Sequence, residues 1–278
     1  MLKVICFGAA GGGVRLFDRI KTKYEILAFT DNDSRKWGQF LNGVKIVSVD
    51  EALAMNYDLI VLTSEPGKDA ITRQLIDKGI AENIISSEFI DGPIEARRIF
   101  LQRLSEMQKN IASEAMVAEA GVFEGDFARF INEYYPGRTL HLFDTFEGFA
   151  DIDLAKEKGR SSANSGDYSN TSEMMVMDKM MYKDNVVIHK GYFPETAQDI
   201  HGNFCFVNLD LDLYEPTYQG LHFFEDKMVR GGVILIHDYF AVNFRGPKDA
   251  VDLFIKEADG KYVAYPIGDG ISVMISGF

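Results

Sequence analysis

Twice along the chain a short apolar run breaks at a glycine-containing turn, enters a stretch of helical spacing and returns as a second apolar run closed by an acid. Runs of this length rich in Val, Ile and Phe read as buried strands, and strands that alternate with helices pair in parallel. The expected fold class is therefore α/β, with two Rossmann-like domains. The first pattern takes Lys3–Phe7, the turn Gly8-Ala9-Ala10-Gly11-Gly12-Gly13, the helical stretch Val14–Lys21 and the strand Glu25–Thr30, which ends in Asp31-Asn32-Asp33. Leu59–Thr63 and Asp69–Lys78 complete a half-size unit over residues 1–90. The second takes Met116–Ala118, the turn Glu119-Ala120-Gly121-Val122-Phe123-Glu124-Gly125, the helical stretch Asp126–Tyr134 and the strand Thr139–Phe143, closed by Asp144. Between them Gly92-Pro93 breaks the chain, after which Ile99, Leu104, Met107 and Ile111 recur at helical spacing. Residues 91–112 thus read as an amphipathic connecting helix, and residues 113–278 as the second domain.

Composition narrows the partners. A formal net charge of −13 argues against nucleic acid and against an anionic membrane surface, since both need clustered Lys and Arg. No stretch approaches the ~20 apolar residues of a spanning helix, and the apolar start Leu2–Phe7 is too short for a secretory signal. Cys6 and Cys205 each sit inside an apolar run and read as buried thiols in a reducing compartment. A cytoplasmic protein without a membrane or nucleic-acid partner is expected.

The acids carry the chemistry. Asp210-Leu211-Asp212-Leu213-Tyr214 follows the apolar run Phe204–Leu209, and His237-Asp238-Tyr239 follows Gly232–Ile236. In an open α/β sheet, ligands bind beyond the carboxyl ends of the strands, so two such strands aim these groups at one place. A single Asp there could cap the next helix; two Asp with a His-Asp pair point to a metal or proton-transfer site. In the turn after Met116–Ala118, an acid-x-Gly pattern lets the backbone approach a ligand, and Asp144 is placed to accept both hydroxyls of a ribose. One close glycine suffices when no pyrophosphate must be cradled, which favours S-adenosylmethionine over a dinucleotide. In the first domain, Gly8, Ala10 and Gly13 form a G-x-A-x-x-G turn with Asp31 as the ribose acid, a second possible nucleotide site or a fold that has kept its shape and lost its nucleotide. At the C-terminus, Tyr262–Pro266 and Ile271–Ser276 flank Gly268-Asp269-Gly270 as a β-hairpin, the usual close of a class I methyltransferase sheet.

The segments Ala118 to Gly125, Asp144-Thr145-Phe146-Glu147-Gly148, Gly191-Tyr192-Phe193-Pro194-Glu195-Thr196, Asp210 to Thr217 and Gly231 to Tyr239, extended by Pro247 to Asp252, resemble in order the macrocin O-methyltransferase family. The resemblance runs from about Ser113 to the C-terminus. It implies a class I fold, S-adenosylmethionine as donor, a Mg²⁺-dependent site and a sugar hydroxyl as acceptor. By motif position it assigns the donor to Glu119, Ala120, Gly121, Gly125, Asp144, Thr145 and Phe146, with Gly191 and Tyr192 beside the adenine. Asp210 becomes both metal ligand and base, with His237 and Asp238 completing the metal set. The chain departs from the family at His237, where a second acid is usual. Imidazole suits Mn²⁺, Fe²⁺ or Zn²⁺ better than Mg²⁺, and His237 can also serve as general base. The resemblance also implies a homo-oligomer. The first domain is similar to small Rossmann-type domains attached to sugar-modifying enzymes.

On this reading a divalent ion chelates two neighbouring hydroxyls of a glycan or glycosylated small-molecule acceptor while Asp210 or His237 takes the proton. Asp212 either lines the site or caps the next helix. Asp151–Asn170, rich in Ser, Gly and Asn, reads as a loop over the site, and the methionines of Glu173–Met181 as adaptable packing. Two other classes stay open: an NAD(P)-dependent sugar oxidoreductase or epimerase working through Gly8 to Asp31, and a non-catalytic ligand-binding module.

Overall fold

The computed structural model describes residues 1–64 and 67–278, which form two compact units, Met1–Glu95 and Ala96–Phe278. In the first, β1 (Lys3–Phe7), α1 (Gly11–Lys23), β2 (Glu25–Thr30), β3 (Phe40–Leu41), β4 (Val44–Val47), α2 (Val49–Leu53), β5 (Leu59–Leu62), α3 (Lys68–Asp77) and β6 (Ile85–Ser86) build a sheet of order β3-β4-β2-β1-β5-β6. It is parallel except for the edge strand β3, which pairs antiparallel with β4.

The division between units falls inside α4 (Glu88–Met107), which begins ahead of Gly92-Pro93 rather than after it. Pro93 removes only its own N–H from the ladder, while Asp91 N–H still reaches the Ser87 carbonyl at 2.8 Å, so the first turns survive the proline.

The second unit runs β7 (Met116–Ala120), α5 (Ala128–Tyr134), β8 (Leu140–Asp144), α6 (Asp151–Lys156), α7 (Glu173–Lys179), β9 (Val186–Lys190), β10 (Phe204–Leu209), α8 (Tyr214–Glu225), β11 (Met228–Ile236), α9 (Gly246–Glu257), β12 (Val263–Pro266) and β13 (Val273–Ser276). Its sheet order is β12-β13-β11-β10-β7-β8-β9. Counted within the unit and from the β9 edge, this is 3-2-1-4-5-7-6 with the seventh strand antiparallel to the fifth, the class I methyltransferase arrangement. Strand order reverses direction between β7 and β10, and that switch point opens a crevice at their carboxyl ends. The two faces of the sheet feed two cores, with a register shift between Phe204 and Phe206 in β10. Val117, Cys205 and Phe206 pack with Leu101 and Leu104 of α4 and with Ile131 of α5; Ala118, Val207 and Leu209 pack with Leu221 and Phe224 of α8 and Phe254 of α9.

The segment after β8 is more ordered than its composition suggests. It carries α6, and then Glu157, whose buried carboxylate accepts the Tyr214 N–H at 2.9 Å and so caps α8. Arg160 pairs with Asp249 at 2.9 Å and lies over the Tyr214 ring. Charge in this stretch is spent on contacts with α8 and α9.

Candidate active site

Backbone bonds bring four strand ends together. Gly121 N–H donates to the Phe143 carbonyl at 2.9 Å, Asp210 N–H to Ala120 at 2.8 Å, and His237 N–H to Leu209 at 3.0 Å. Gly121 is required by this closeness before any ligand is considered: its φ is +83°, and a Cβ there would stand 1.8 Å from the Asp210 carbonyl oxygen. Four non-glycine residues around the crevice, Phe123, Phe146, Asp212 and Asp238, also hold positive φ between 49° and 59°. Backbone strain of this kind costs about 1–3 kcal/mol per residue and is kept where the surroundings fix it.

At the ends of β10 and β11, His237 Nδ1 lies 2.9 Å from Asp210 Oδ1 and 3.0 Å from Asp238 Oδ2. Burial alone would lower the His237 pKa; the carboxylates of Asp210 and Asp238 more than offset it and raise the value to about 10. The imidazolium thus bridges two acids. Asp212 joins them, and burial followed by the charges of Asp238 and Asp210 holds its carboxyl well above the usual range. It does not cap α8, whose first N–H goes to Glu157. Arg97 of α4 reaches within 3.8 Å of Asp210 Oδ2 and stacks on the Phe127 ring at 4.7 Å.

This donor set fits a divalent ion. One ligand atom from each of Asp210, His237 and Asp238 lies within 4.8 Å of the others. Oxygen ligands predominate, as hard cations require, with one imidazole that a borderline ion accepts more readily.

The turn residues divide into those that face the crevice and those spent on structure. Glu119 is fully buried, accepts from Asn208 Nδ2 at 2.7 Å, and is pushed well above its ordinary pKa by burial and then by Asp210. Asp144 Oδ2 accepts Val122 and Phe123 N–H at 2.8 and 2.9 Å, and Oδ1 accepts Phe146 N–H at 2.7 Å. Three of its roughly four acceptor positions are therefore occupied, leaving one for a ribose hydroxyl. Ala120 buries its methyl and lends its carbonyl to Asp210. Gly125 packs against Val176 of α7. The Thr145 hydroxyl accepts Glu147 N–H, Gly191 N–H bonds the Asp144 carbonyl, and Tyr192 is half exposed just beyond β9.

Three neighbours were not singled out from the sequence: Arg97, Asn208 and Tyr168. Arg97 falls on the same stripe of α4 as Leu101 and Leu104, so a charge on a buried face was the available signal. Asn208 is a polar residue within an otherwise apolar buried strand. Tyr168, at φ +64°, packs edge-on against Phe123 and Phe149, and burial, then the charges of Asp212, Asp238 and Asp210, push its hydroxyl pKa up.

In the first unit the corresponding features have partners within the protein. Asp31 accepts Ala9 N–H and Lys36 Nζ, both at 2.8 Å, and Asp33 N–H at 2.9 Å. Cβ atoms on Gly12 and Gly13 would stand 1.8 Å from the Thr63 oxygen and 2.5 Å from the Gly8 oxygen. Gly8, Gly13 and Asp31 therefore shape a tight β1-to-α1 turn, with Ala10 immediately before the helix. Among the described residues no helix is long and apolar enough to cross a membrane.

Comparison with known proteins agrees with this architecture. NovP, an O-methyltransferase, is 23% identical with a TM-score of 0.56 over 65% of this chain and 79% of that one. CalS11, a calicheamicin methyltransferase, is 18% identical with a TM-score of 0.56 over 77% and 93%. The apo structure of CalS11, described as a TDP-rhamnose 3'-O-methyltransferase, gives 17% and 0.50 over 77% and 95%. These likenesses show the fold. A search of curated proteins found no match. Residues 1–86 match the C2185-like N-terminal family, and residues 94–262 match macrocin O-methyltransferase (TylF). With more than half its length matched and the strand order of a class I sheet, the chain belongs to the macrocin O-methyltransferase family and is an S-adenosylmethionine-dependent O-methyltransferase.

Proposed function

We propose that this enzyme methylates a hydroxyl of a sugar or glycosylated small molecule, assisted by a divalent ion held by Asp210, His237 and Asp238. The observation that carries the reading is the meeting of those three side chains, within 4.8 Å of one another, beside the Gly121 turn. That CalS11 is described as a TDP-rhamnose 3'-O-methyltransferase supports a sugar acceptor.

The residues divide the work. Glu119, the Gly121 turn, Asp144 and the Thr145-Phe146 backbone bind the donor, while Gly191 and Tyr192 flank its adenine. Asp210, its side chain 24% exposed, accepts the proton of the attacking hydroxyl. Asp238 and His237, the latter neutral when it ligates, fix Asp210 in place. When bound, the divalent ion supplies positive charge that lowers the pKa of the acceptor hydroxyl. Tyr168 closes the acceptor side and excludes water.

The test is mass-spectrometric detection of a methylated product from a panel of nucleoside diphosphate sugars and glycosylated small molecules, with chelator and with Mg²⁺ or Mn²⁺ restored. Product that appears only with the ion, and only from sugar-bearing acceptors, is expected. Transfer that proceeds equally in chelator would remove the ion from the reading, and transfer confined to catechols or other sugar-free hydroxyls would remove the sugar.

A further inference from the structure

Three of the chain's five histidines, His141, His189 and His201, line one cavity of about 500 Å³ together with Met116, Thr196 and Asp199. The strand period puts them there. Met116 lies two residues before Ala118 on β7, His141 two before Phe143 on β8, and His189 stands opposite Phe143 on β9. All three therefore belong to the sheet face packed by Phe224 of α8, not to the face packed by α4. His201 comes from the segment between β9 and β10. That segment is anchored to β7 by the Met116 N–H, which donates to the Asn203 carbonyl at 2.8 Å, and Gly202 lies against the Met116 methyl. Met116 opens β7 at its amino end, four residues or roughly 13 Å along the strand from Ala120 at the crevice.

In this cavity nitrogen and sulfur follow one another in line. His189 Nε2 lies 2.9 Å from His141 Nδ1, and His141 Nε2 lies 3.2 Å from Met116 Sδ. The two imidazole planes are 20° apart with centroids at 5.2 Å, so the rings meet edge to edge and share one N–H between them. Burial lowers the pKa of both rings, that of His141 to about 4 with His189 adding to the effect, and both are neutral. Neither tautomer satisfies the line within the protein alone. If His189 donates, His141 spends its remaining N–H on a thioether, a weak acceptor. If His141 donates, its bare Nε2 faces the bare sulfur, and two electron-pair donors converge. A cation between them turns that second arrangement into two bonds, since donors about 2.0–2.3 Å from one ion stand roughly 3–4 Å apart. His189 then holds the ligating tautomer through the Nδ1–H of His141, as the outer partner of a metal-bound histidine does.

We infer that Met116 Sδ and His141 Nε2, with the exposed His201 at the rim, form a metal site separate from the acid cluster, and that it takes a soft monovalent cation, Cu⁺. Thioether sulfur selects Cu⁺ against Mg²⁺ and Mn²⁺, and imidazole is compatible with it. The Asp210 cluster, with oxygen as its main donor, selects in the opposite sense. The chain thus sorts two kinds of ion by the softness of the donors. The inference stands on this cavity and not on the methyl-transfer reading.

Ag⁺, a redox-inert stand-in for Cu⁺, is the probe, titrated into the full chain carrying ¹³C-labelled methionine methyls. The Met116 signal is assigned by its absence from Met116→Leu, a swap that conserves volume. One equivalent of Ag⁺ is expected to move the Met116 methyl alone among the eleven methionines. Competition with a chelator should show affinity lowered about 100-fold in Met116→Leu and about 10-fold in His189→Phe, whose ring can still pack on Phe143. His201→Asn, at an exposed position that leaves the fold alone, should also lose about 10-fold. Equal affinity in the unaltered chain and Met116→Leu would overturn the site. So would a first equivalent that moves another methionine, or one that moves none, as capture by Cys6 or Cys205 would give.

Discussion

Asp144 is the residue on which the sequence reading and the structure differ most usefully, and Asp144→Ala separates them. Read from the sequence, its carboxylate is a ribose acceptor, so the substitution should weaken the donor and leave the fold alone. In the structure, the carboxylate first holds the protein: Val122, Phe123 and Phe146 donate to it at 2.7–2.9 Å, and two of these residues sit at φ +49° and +57°. Hydrogen bonds to an ionised group contribute ~1.5–3 kcal/mol each, but Asp144 is only half-buried and water can replace part of that, so about 1 kcal/mol per bond is a fair net figure. The expected cost is about 3 kcal/mol, with roughly half of it kept by Asp144→Asn, whose amide oxygen still accepts. Urea unfolding followed by circular dichroism reads the stability of the second unit, and S-adenosylhomocysteine calorimetry reads the donor site. An Asp144→Ala protein whose unfolding matches the unaltered chain within ~0.5 kcal/mol, yet which no longer binds the probe, would refute the structural role.

Other perturbations have defined outcomes. Gly121→Ala places a methyl 1.8 Å from the Asp210 oxygen at φ +83° and should cost more than about 4 kcal/mol, read as loss of the second unit's urea transition. Asp238→Asn should weaken Mn²⁺ binding by about 100-fold in calorimetry while S-adenosylhomocysteine affinity is unchanged, since Asp238 belongs to the proposed ion site and not to the proposed donor turn. Burial, and then the neighbouring His189, lowers the His141 pKa from 6.5 to about 4, so the folded state favours the neutral ring; the stability this preserves is complete above pH 6.5 and is lost as pH falls toward 4, by up to ~3 kcal/mol. His141→Phe should flatten that part of the pH–stability profile.

The fold was legible because its signals are local and periodic. Apolar runs such as Phe204–Leu209 and Leu140–Phe143 are buried on both faces, and only a parallel sheet covered by helices uses such strands. The acids Asp210 and Asp238 were legible for the converse reason, since charge directly after a buried strand needs a partner. Arg97, Asn208 and Tyr168 were not, each for its own reason. Arg97 counts as one more charge in a helix that is half polar, and its side is fixed only once Leu101 and Leu104 are known to face the sheet. Asn208 hides in a run whose hydrophobicity it barely lowers. Tyr168 comes from a Ser- and Gly-rich segment whose path is set by tertiary bonds, Glu157 to Tyr214 and Arg160 to Asp249, that link residues 57 and 89 positions apart.

The two units show which part of the strand-turn-helix pattern carries function. In both, the acid closing the second strand accepts backbone N–H from the first turn: Ala9 onto Asp31, Val122 and Phe123 onto Asp144. In both, turn glycines lie where a Cβ would strike a neighbouring strand-end carbonyl, Thr63 in one and Asp210 in the other. The shared features are accounted for by how such a turn must close, so they cannot tell a ligand site from a fold. The difference lies on the next strand over. Beside the first turn, Thr63 gives its hydroxyl to the Phe7 and Gly8 carbonyls at 2.9 and 2.7 Å. Beside the second, Asn208 and Glu119 keep polar atoms without partners, and Asp210 lies 2.9 Å from His237 and 3.8 Å from Arg97. Since unpaired buried polar groups are costly and closure of the turn does not require them, the crevice between β7 and β10, where the donor is proposed to bind, is where a ligand would offset the cost of the arrangement.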